Sequence, residues 1–385
     1  MRIWYNRFVH YSKKMSKTTP KITIIGFGWA SIGFLQEIDT TRYDVHVISD
    51  KDEFVYTPYL AQNVRKNYNI TIHCKSLNKH IIFHRAKLQD VDFAKQLLWT
   101  EDSGRHQGAS AKKSPTPQQY EYLIFAHGAD VNTFGIPGVQ DHALFLKTLD
   151  HSKIISERLA KLPRNATVAV IGCGLTGSEL VGTLLDYRKF KVVAIDAMER
   201  PLPMFDAKLS KKAIDLWEKE NVTMYFKSAV SKVQEKQIDI KDKPSIPFDL
   251  AIWCGGIKST SFTQKMNQRL NLENPRGIPV GSNLQVQNSS NIYAMGDCAV
   301  SGHPPTAQVA YQQGRFLARE FNNGLAGKRT FQYIDKGQLG YIGKGYSLYQ
   351  SKQIQGGGNI IYYFNNFVHV YNFGMLYMKD HFMWI

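Results

Sequence analysis

Two stretches of the chain repeat one pattern of apolar and polar positions. The apolar run Val168 to Ile171 leads into Gly172-Cys173-Gly174-Leu175-Thr176-Gly177, then a helix-compatible stretch, then Val192 to Ile195 ending on Asp196. Near the start, Ile22 to Ile25 leads into Gly26-Phe27-Gly28-Trp29-Ala30-Ser31, and Val45 to Ser49 ends beside Asp50. Short unbroken apolar runs bounded by glycine predict strands buried on both faces, as in a parallel sheet with helical crossovers. In each unit the acid stands 24 residues after the first glycine, at 196 after 172 and at 50 after 26.

Each residue type in this pattern has a mechanical reason. The first glycine allows a tight turn off the strand, the second lets backbone approach a pyrophosphate at the helix N-terminus, and the third lets helix and strand pack closely. An acid ending the second strand accepts hydrogen bonds from a ribose 2'-hydroxyl and repels a 2'-phosphate, so Asp196 predicts NADH rather than NADPH. One such string alone is better read as a tight turn in an ordinary parallel sheet. Two matched units predict two nucleotide sites.

Further elements follow along the chain. Pro58, within Phe54 to Leu60, argues against helix and for a polar turn. Residues 70–100 alternate as short strands, and 101–119 read as an exposed loop. Tyr122 to Ala126 is a buried strand ending at His127-Gly128-Ala129, and Gly135 to Gly138 is a turn before a helical connection into the second unit. Asn221 to Phe226 and Asp249 to Trp253 are strands, the latter reaching Cys254-Gly255-Gly256. Asn291 to Ala294 delivers Gly296 and Asp297 at a strand end, where Asp297 suits either a ribitol hydroxyl or a turn cap. The helix after Pro304-Pro305 places Gln308, Tyr311 and Gln312 on one face. From 360 to 385, Phe364, Phe367, Val368, Tyr371 and Met375 recur at helical spacing, with Asn365, Asn366, His369 and Asn372 elsewhere. That pattern suits an amphipathic helix in a membrane interface, a packing or dimer helix, or β-prone strands.

Composition narrows the classes. With 385 residues, 43% hydrophobic and 21% charged, the chain has material for two or three folded domains. Its formal charge of +16 suits an anionic partner, yet no nucleic-acid module accompanies it, and an acidic membrane face remains. Residues 1–21 carry Arg2, Arg7, Lys13, Lys14, Lys17 and Lys21 without an acid, which fits a mitochondrial targeting peptide or a solvated basic tail. No apolar run approaches the roughly 20 residues of a spanning helix. Cys74, Cys173, Cys254 and Cys298 are too scattered for a redox pair or a metal knuckle, and no metal site is expected.

The strings Gly26 to Ala30, Phe54 to Pro58, Asn132 to Gly138, Gly172 to Glu179, Gly296-Asp297 and Pro304 to Gly314, in this order, resemble type II NADH:quinone oxidoreductase, the single-chain alternative NADH dehydrogenase, in its mitochondrial form. The resemblance spans roughly residues 20–345. It implies an α/β fold with two Rossmann-like dinucleotide-binding domains of glutathione-reductase type. FAD would occupy a discontinuous domain, 21–162 and 266–328, and NADH the inserted domain 163–265. These follow the basic segment 1–20 and precede a short membrane- or dimer-associated segment, 329–385.

On this resemblance Gly26, Gly28, Thr57, Gly128, Asp297 and Gln308 surround the flavin, with Asp50 standing in for an acid at Ser49. Gly172, Gly174, Gly177, Asp196 and Gly255 surround NADH, with Glu179 near the nicotinamide. Gln308, Tyr311 and Gln312 line the quinone pocket, and Glu179, Gln308 and Gln312 are the catalytic candidates. The two glutamines alternatively bridge polar backbone at a domain junction. The implied reaction passes a hydride from NADH to FAD and two electrons to a ubiquinone-like quinone, without proton pumping, at the mitochondrial inner membrane surface, in a monomer or homodimer. The missing cysteine pair counts against a disulfide reductase or a sulfide:quinone oxidoreductase.

Departures from the family pattern are Ala30, Ser31, Ser49, His127 and Thr183. The basic, Gly-Arg-Asp-containing tail that carries much of the family's membrane attachment is also missing from the sequence. Two other readings stand beside the main one. The first is a soluble NADH-dependent flavoprotein reductase with another acceptor, and the second is a catalytically diverged nucleotide-binding protein.

Overall fold

The computed structural model describes residues 19–103 and 117–378. Most of the basic N-terminal segment (1–18), the middle of the loop expected at 101–119, and the stretch after Met378 lie outside the described residues.

Two sheets carry the two glycine units. The first takes β1 (Lys21–Ile25), β2 (Asp44–Ser49), β3 (Ile82–Asp92), β4 (Leu97–Asp102), β5 (Pro117–Gln119) and β6 (Tyr122–Phe125). The second takes β7 (Ala143–Phe145), β8 (Thr167–Ile171), β9 (Lys191–Ile195), β10 (Thr223–Tyr225) and β11 (Leu250–Trp253), after which β12 (Ile292–Ala294) returns to the first. The strand orders are β12-β6-β1-β2-β3-β4-β5 and β7-β11-β8-β9-β10. β1 lies parallel between β2 and β6, with Ile25 beside Ile48 and Phe125. β8 lies parallel between β9 and β11, with Ile171 beside Ile195 and Trp253. Ile22, Ile24, Val45, Val47, Val168 and Val170 are fully buried, as parallel strands covered on both faces require. Each glycine turn therefore leaves the C-terminal end of an interior strand, in the crevice where open α/β sheets bind ligands.

The helices used below are α1 (Trp29–Glu37), α2 (Leu60–Lys66), α3 (Leu149–Lys161), α4 (Leu175–Tyr187), α5 (Ala207–Lys219), α6 (Ser261–Arg269), α7 (Ala307–Asn322) and α8 (Asn359–Met378). The first helix of each unit is covered differently. α1 packs on α7, where a side chain at Gly33 would run into the Tyr311 carbonyl and one at Gly314 into the Ala30 carbonyl. α4 packs under an antiparallel sheet of β13 (Gln338–Gly343), β14 (Tyr346–Gln350) and β15 (Gln355–Gly358), where a Cβ at Gly182 would stand 2.5 Å from the Gly343 amide nitrogen. Small residues at these crossings let backbones meet directly.

Several expectations are corrected. Pro58 does not stop helix formation: it sits in a 3-10 turn, Thr57–Tyr59, that runs straight into α2, because proline is tolerated where no intrahelical N–H is needed. The loop expected at 101–119 is bounded by strand at both ends, since Glu101 and Asp102 finish β4 and Pro117 to Gln119 pair with Trp99 to Leu97 as an edge strand, where proline is allowed. The second sheet draws its edge strand β7 from ahead of residue 163. Of the terminal segment, Asn359–Met378 is a helix rather than strands, but its burial is not the one its apolar spacing suggests. Val368 and Met375 face inward together with Asn365, His369 and Asn372, while Phe367 faces out with Ile360, Tyr363 and Val370.

Candidate functional site

The two turns have nearly the same geometry. Gly26 has φ +104° and Gly172 φ +94°, left-handed values that strain any other residue. A Cβ at Gly26 would stand 2.5 Å from the Ala126 carbonyl oxygen, and one at Gly172 would stand 2.8 Å from the Gly255 amide nitrogen. Both turns therefore press against the end of the neighbouring strand. The helices that follow lack the side-chain cap that α3, α5, α6 and α7 carry, a lack shared by α2, which instead continues a 3-10 turn at Tyr59. α3, α5, α6 and α7 are capped by side-chain oxygens of Thr148, Asp206, Thr260 and Thr306, whereas α1 and α4 start on Gly28 and Gly174 with no side-chain cap. Their first N–H groups are left for an anion, and beside the first turn Gly128 faces open space. Bare backbone donors at two strand ends fit one dinucleotide pyrophosphate each.

Around the first turn, the Trp29 indole N–H donates to Thr57 Oγ1 at 2.8 Å and orients that hydroxyl. Asp297 Oδ2 lies 3.5 Å from Lys147 Nζ. Asp50 is exposed beyond β2, with Ser49 as the last buried residue of the strand. Gln313, which sequence reasoning passed over, is fully buried: its Oε1 accepts from the Gly296 N–H at 2.8 Å and its Nε2 donates to Ser301 Oγ at 2.8 Å. The only sequence signal for it is a third glutamine beside the two singled out. His127 Nε2 lies 2.7 Å from Thr263 Oγ1, and burial lowers its pKa to about 4, so it packs as a neutral ring.

Around the second turn, Asp196 is held by its own loop. Its Oδ2 accepts from the Cys173 N–H at 2.5 Å and its Oδ1 from the Met198 N–H at 2.8 Å. A side chain at Gly177 would run into the Gly172 carbonyl, which is the close packing the pattern predicts. Glu179, one turn into α4, is buried beneath β13, with the Tyr341 N–H 3.4 Å from its Oε1. Burial pushes its carboxyl up to about 8, so the proton stays on at neutral pH. Gly255 lies where β11 meets the turn. Cys173 and Cys254 are unpaired beside it, and burial raises both thiols, Cys254 to about 12, so neither is a ready thiolate.

The shared face expected for Gln308, Tyr311 and Gln312 splits. Gln308 accepts from the Tyr333 hydroxyl and the Lys336 N–H, each at 2.8 Å, and donates to the Gly337 carbonyl at 3.1 Å. Gln312 donates to the Ile334 carbonyl at 2.8 Å and accepts from its N–H at 3.0 Å. Both glutamines thus bridge the backbone of 333–337. Tyr311 turns instead toward α1, donating to Gln36 Oε1 at 2.8 Å, because the Gly33 and Gly314 crossing draws that side of α7 into the core. A second unforeseen pair joins the terminal helix to the first unit: the buried Tyr56 hydroxyl lies 3.0 Å from His369 Nδ1, and burial lowers the His369 pKa to about 4.

Two dinucleotide folds in one chain, each with a bare glycine turn at its strand end, define a pyridine-nucleotide-dependent oxidoreductase scaffold. The chain belongs to the pyridine nucleotide-disulphide oxidoreductase family, whose model matches residues 20–314. It is similar to a probable NADH dehydrogenase of Dictyostelium discoideum, at 28% identity over 84% of this chain and 79% of that protein. It is also similar to the mitochondrial external NADH-ubiquinone oxidoreductase 2 of Saccharomyces cerevisiae, at 29% identity over 79% of this chain and 63% of the relative's length. The fold is that of NDH2 from Plasmodium falciparum, solved in complex with NADH, with TM-score 0.83 and 21% identity over 94% of this chain and 98% of that one.

Proposed function

We propose that the chain is a type II NADH:quinone oxidoreductase: it binds FAD and NADH, passes reducing equivalents to a ubiquinone-like quinone, and pumps no protons. The observation that carries this reading is the duplicated, uncapped glycine turn. Relatives named as NADH-ubiquinone oxidoreductases support the choice of acceptor. The first unit, 21–162 with 266–328, is the FAD domain apart from β7, which completes the sheet of the NADH domain, 163–265.

FAD, when bound, supplies the two-electron relay between nicotinamide and quinone. The chain's own residues position and protect. Gly26, Gly28 and the first turn of α1 offer backbone N–H groups to one pyrophosphate, with Thr57, Gly128, Asp297 and Gln313 around them. Gly172, Gly174 and the start of α4 do the same for NADH. Asp196, already aligned by Cys173 and Met198, presents a carboxylate to the ribose and disfavours a 2'-phosphate. Glu179 holds a proton inside the protein at neutral pH and would share it by hydrogen bonding with a nicotinamide or quinone bound beside it. Gln308 and Gln312 act by fixing the 333–337 segment across α7.

The protein works at a membrane surface, the mitochondrial inner membrane, as the mitochondrial relatives suggest. Among the described residues no helix is long and apolar enough to cross a membrane. α8 instead turns Ile360, Tyr363, Phe367 and Val370 to solvent, each between 55% and 84% exposed. A row of that kind lies in an interface rather than through it.

The test is a visible spectrum of the purified protein followed by NADH oxidation with a short-chain ubiquinone analogue. A yellow protein whose NADH oxidation depends on quinone is expected. A yellow protein indifferent to quinone would mean a different acceptor, and a colourless one that FAD cannot reconstitute would end the enzymatic reading.

A further inference from the structure

A basic pocket adjoins the exposed apolar row of α8, and neither nucleotide turn contributes to it. It is an open pocket of about 530 Å³ between α2, the end of α4, the β13–β14 turn and the start of α8, with Arg65, Lys66, Arg188, Lys344, Asp186 and Tyr362 in its lining. Its single acid, Asp186, accepts from the Tyr341 hydroxyl at 2.6 Å and from the Lys344 N–H at 3.1 Å, which fixes the carboxylate's place and leaves its one negative charge in the wall. Lys344 Nζ is paired with Glu220 at 3.0 Å. Arg65, Lys66 and Arg188 form no ion pair among the described residues. Arg65 and Lys66 lie instead over the rings of Tyr187 and Tyr68, at 5.9 and 5.4 Å, contacts that orient a cation without neutralising it.

Pocket and row are continuous. The Gly345 carbonyl in the pocket wall accepts from Asn359 Nδ2 at 2.9 Å, and Asn359 is the first residue of α8. Tyr362, also in the wall, meets the ring of Tyr363 edge to face at 5.5 Å, and Tyr363 belongs to the row.

We infer that this pocket takes the phosphate headgroup of an anionic phospholipid while Ile360, Tyr363, Phe367 and Val370 enter the adjoining interface. The inference rests on the membrane-surface reading above and adds the lipid class. An apolar row binds any bilayer, whereas three cations outside ion pairs, set against one carboxylate in the same wall, favour an acidic one, at roughly fivefold in partition for each net positive charge near the surface.

The test uses the full chain with FAD and flotation with vesicles of phosphatidylcholine alone or mixed with phosphatidylglycerol. Wild type is expected to prefer the acidic vesicles by more than tenfold. Arg65→Glu and Arg188→Glu should each remove most of that preference and leave binding to phosphatidylcholine unchanged. Lys87→Glu, an equal charge reversal on β3 of the first sheet, should keep it. Wild type that binds both vesicles equally, or a loss as large in Lys87→Glu, overturns the inference and leaves the membrane reading standing. Wild type that floats with neither vesicle overturns both. Two further outcomes also overturn it. The first is saturable binding of inorganic phosphate, abolished by Arg188→Glu, in a protein with no lipid preference, which gives the pocket to a soluble phosphate. The second is a dimer in free solution that Phe367→Asp dissociates, which gives the row to a second copy of the chain.

Discussion

The two glycine units start alike and diverge within two helical turns. At the fifth position after the first glycine, the first unit has Ser31, whose hydroxyl donates to the Gly26 carbonyl at 2.8 Å, and the second has Gly177, where no side chain fits. At the seventh, Gly33 admits the backbone of α7, while Glu179 is buried under β13. At the eleventh, Glu37 meets Arg315 and Arg319 of α7, and Thr183 bonds the Glu179 carbonyl. The acids differ as well, since Asp196 is gripped by its turn and Asp50 is exposed. One backbone solution thus carries two kinds of packing and electrostatics. The turn is set by the glycines, whereas what the unit can do is set by the element laid over its helix.

The largest effect that would break this contrast is at the fifth position. Gly177→Ala forces a Cβ into the Gly172 carbonyl and should cost on the order of 3 kcal/mol and abolish detectable NADH binding. Ser31→Ala removes one hydrogen bond and should cost about 1 kcal/mol, with FAD retained. Thermal unfolding with calorimetric NADH titration compares them, and equal losses would mean the two turns are packed alike after all.

The acids come next. Asp196→Ser should narrow the preference for NADH over NADPH in kcat/KM by roughly ten- to a hundredfold, the worth of one charged hydrogen bond. Asp50→Ser should leave FAD content unchanged. A ratio untouched in Asp196→Ser would reduce that carboxylate to a support for the turn.

The pH dependences complete the comparison, and they have opposite signs. Glu179, raised from 4.5 to about 8, stabilises the fold fully below its unfolded pKa, and that contribution is lost as pH rises from about 4.5 through 8. Although burial opposes it, hydrogen bonding from Arg319 and the charge of Arg315 hold Glu37 below the usual carboxylate range. Its contribution is present above pH 4.5 and is lost as pH falls through the lowered value. Melting curves should therefore flatten on the neutral side in Glu179→Gln and on the acid side in Glu37→Gln. The same slope change in both would show that the two helices are not covered differently.

Strands and turns were readable because strands buried on both faces admit almost no polar residue, and because the glycines are required by backbone geometry alone. Packing decisions were not readable. Spacing put Tyr311 beside Gln308 and Gln312, but Gly33 on a distant helix decides which way the tyrosine points. The bond from Cys173 to Asp196 depends on a side chain curling back onto its own turn, which no spacing rule records. α8 defeated the usual rule outright: Asn365, His369 and Asn372 face inward, where His369 meets the Tyr56 hydroxyl while the Asn365 amide finds no hydrogen-bond partner among the described residues.

The return of β12 to the first sheet has a consequence in time. All five strands of the second sheet are made once residue 253 has left the ribosome, whereas the first lacks its edge until residue 294, and α1 lacks its cover until α7 follows. Synthesis thus favours closing the later-encoded sheet before the earlier one, with the N-terminal strands waiting across a long loop. Pulse-labelled amide exchange during refolding should find β8 and β9 protected before β6, and the reverse order would mean that the first sheet forms without waiting for β12.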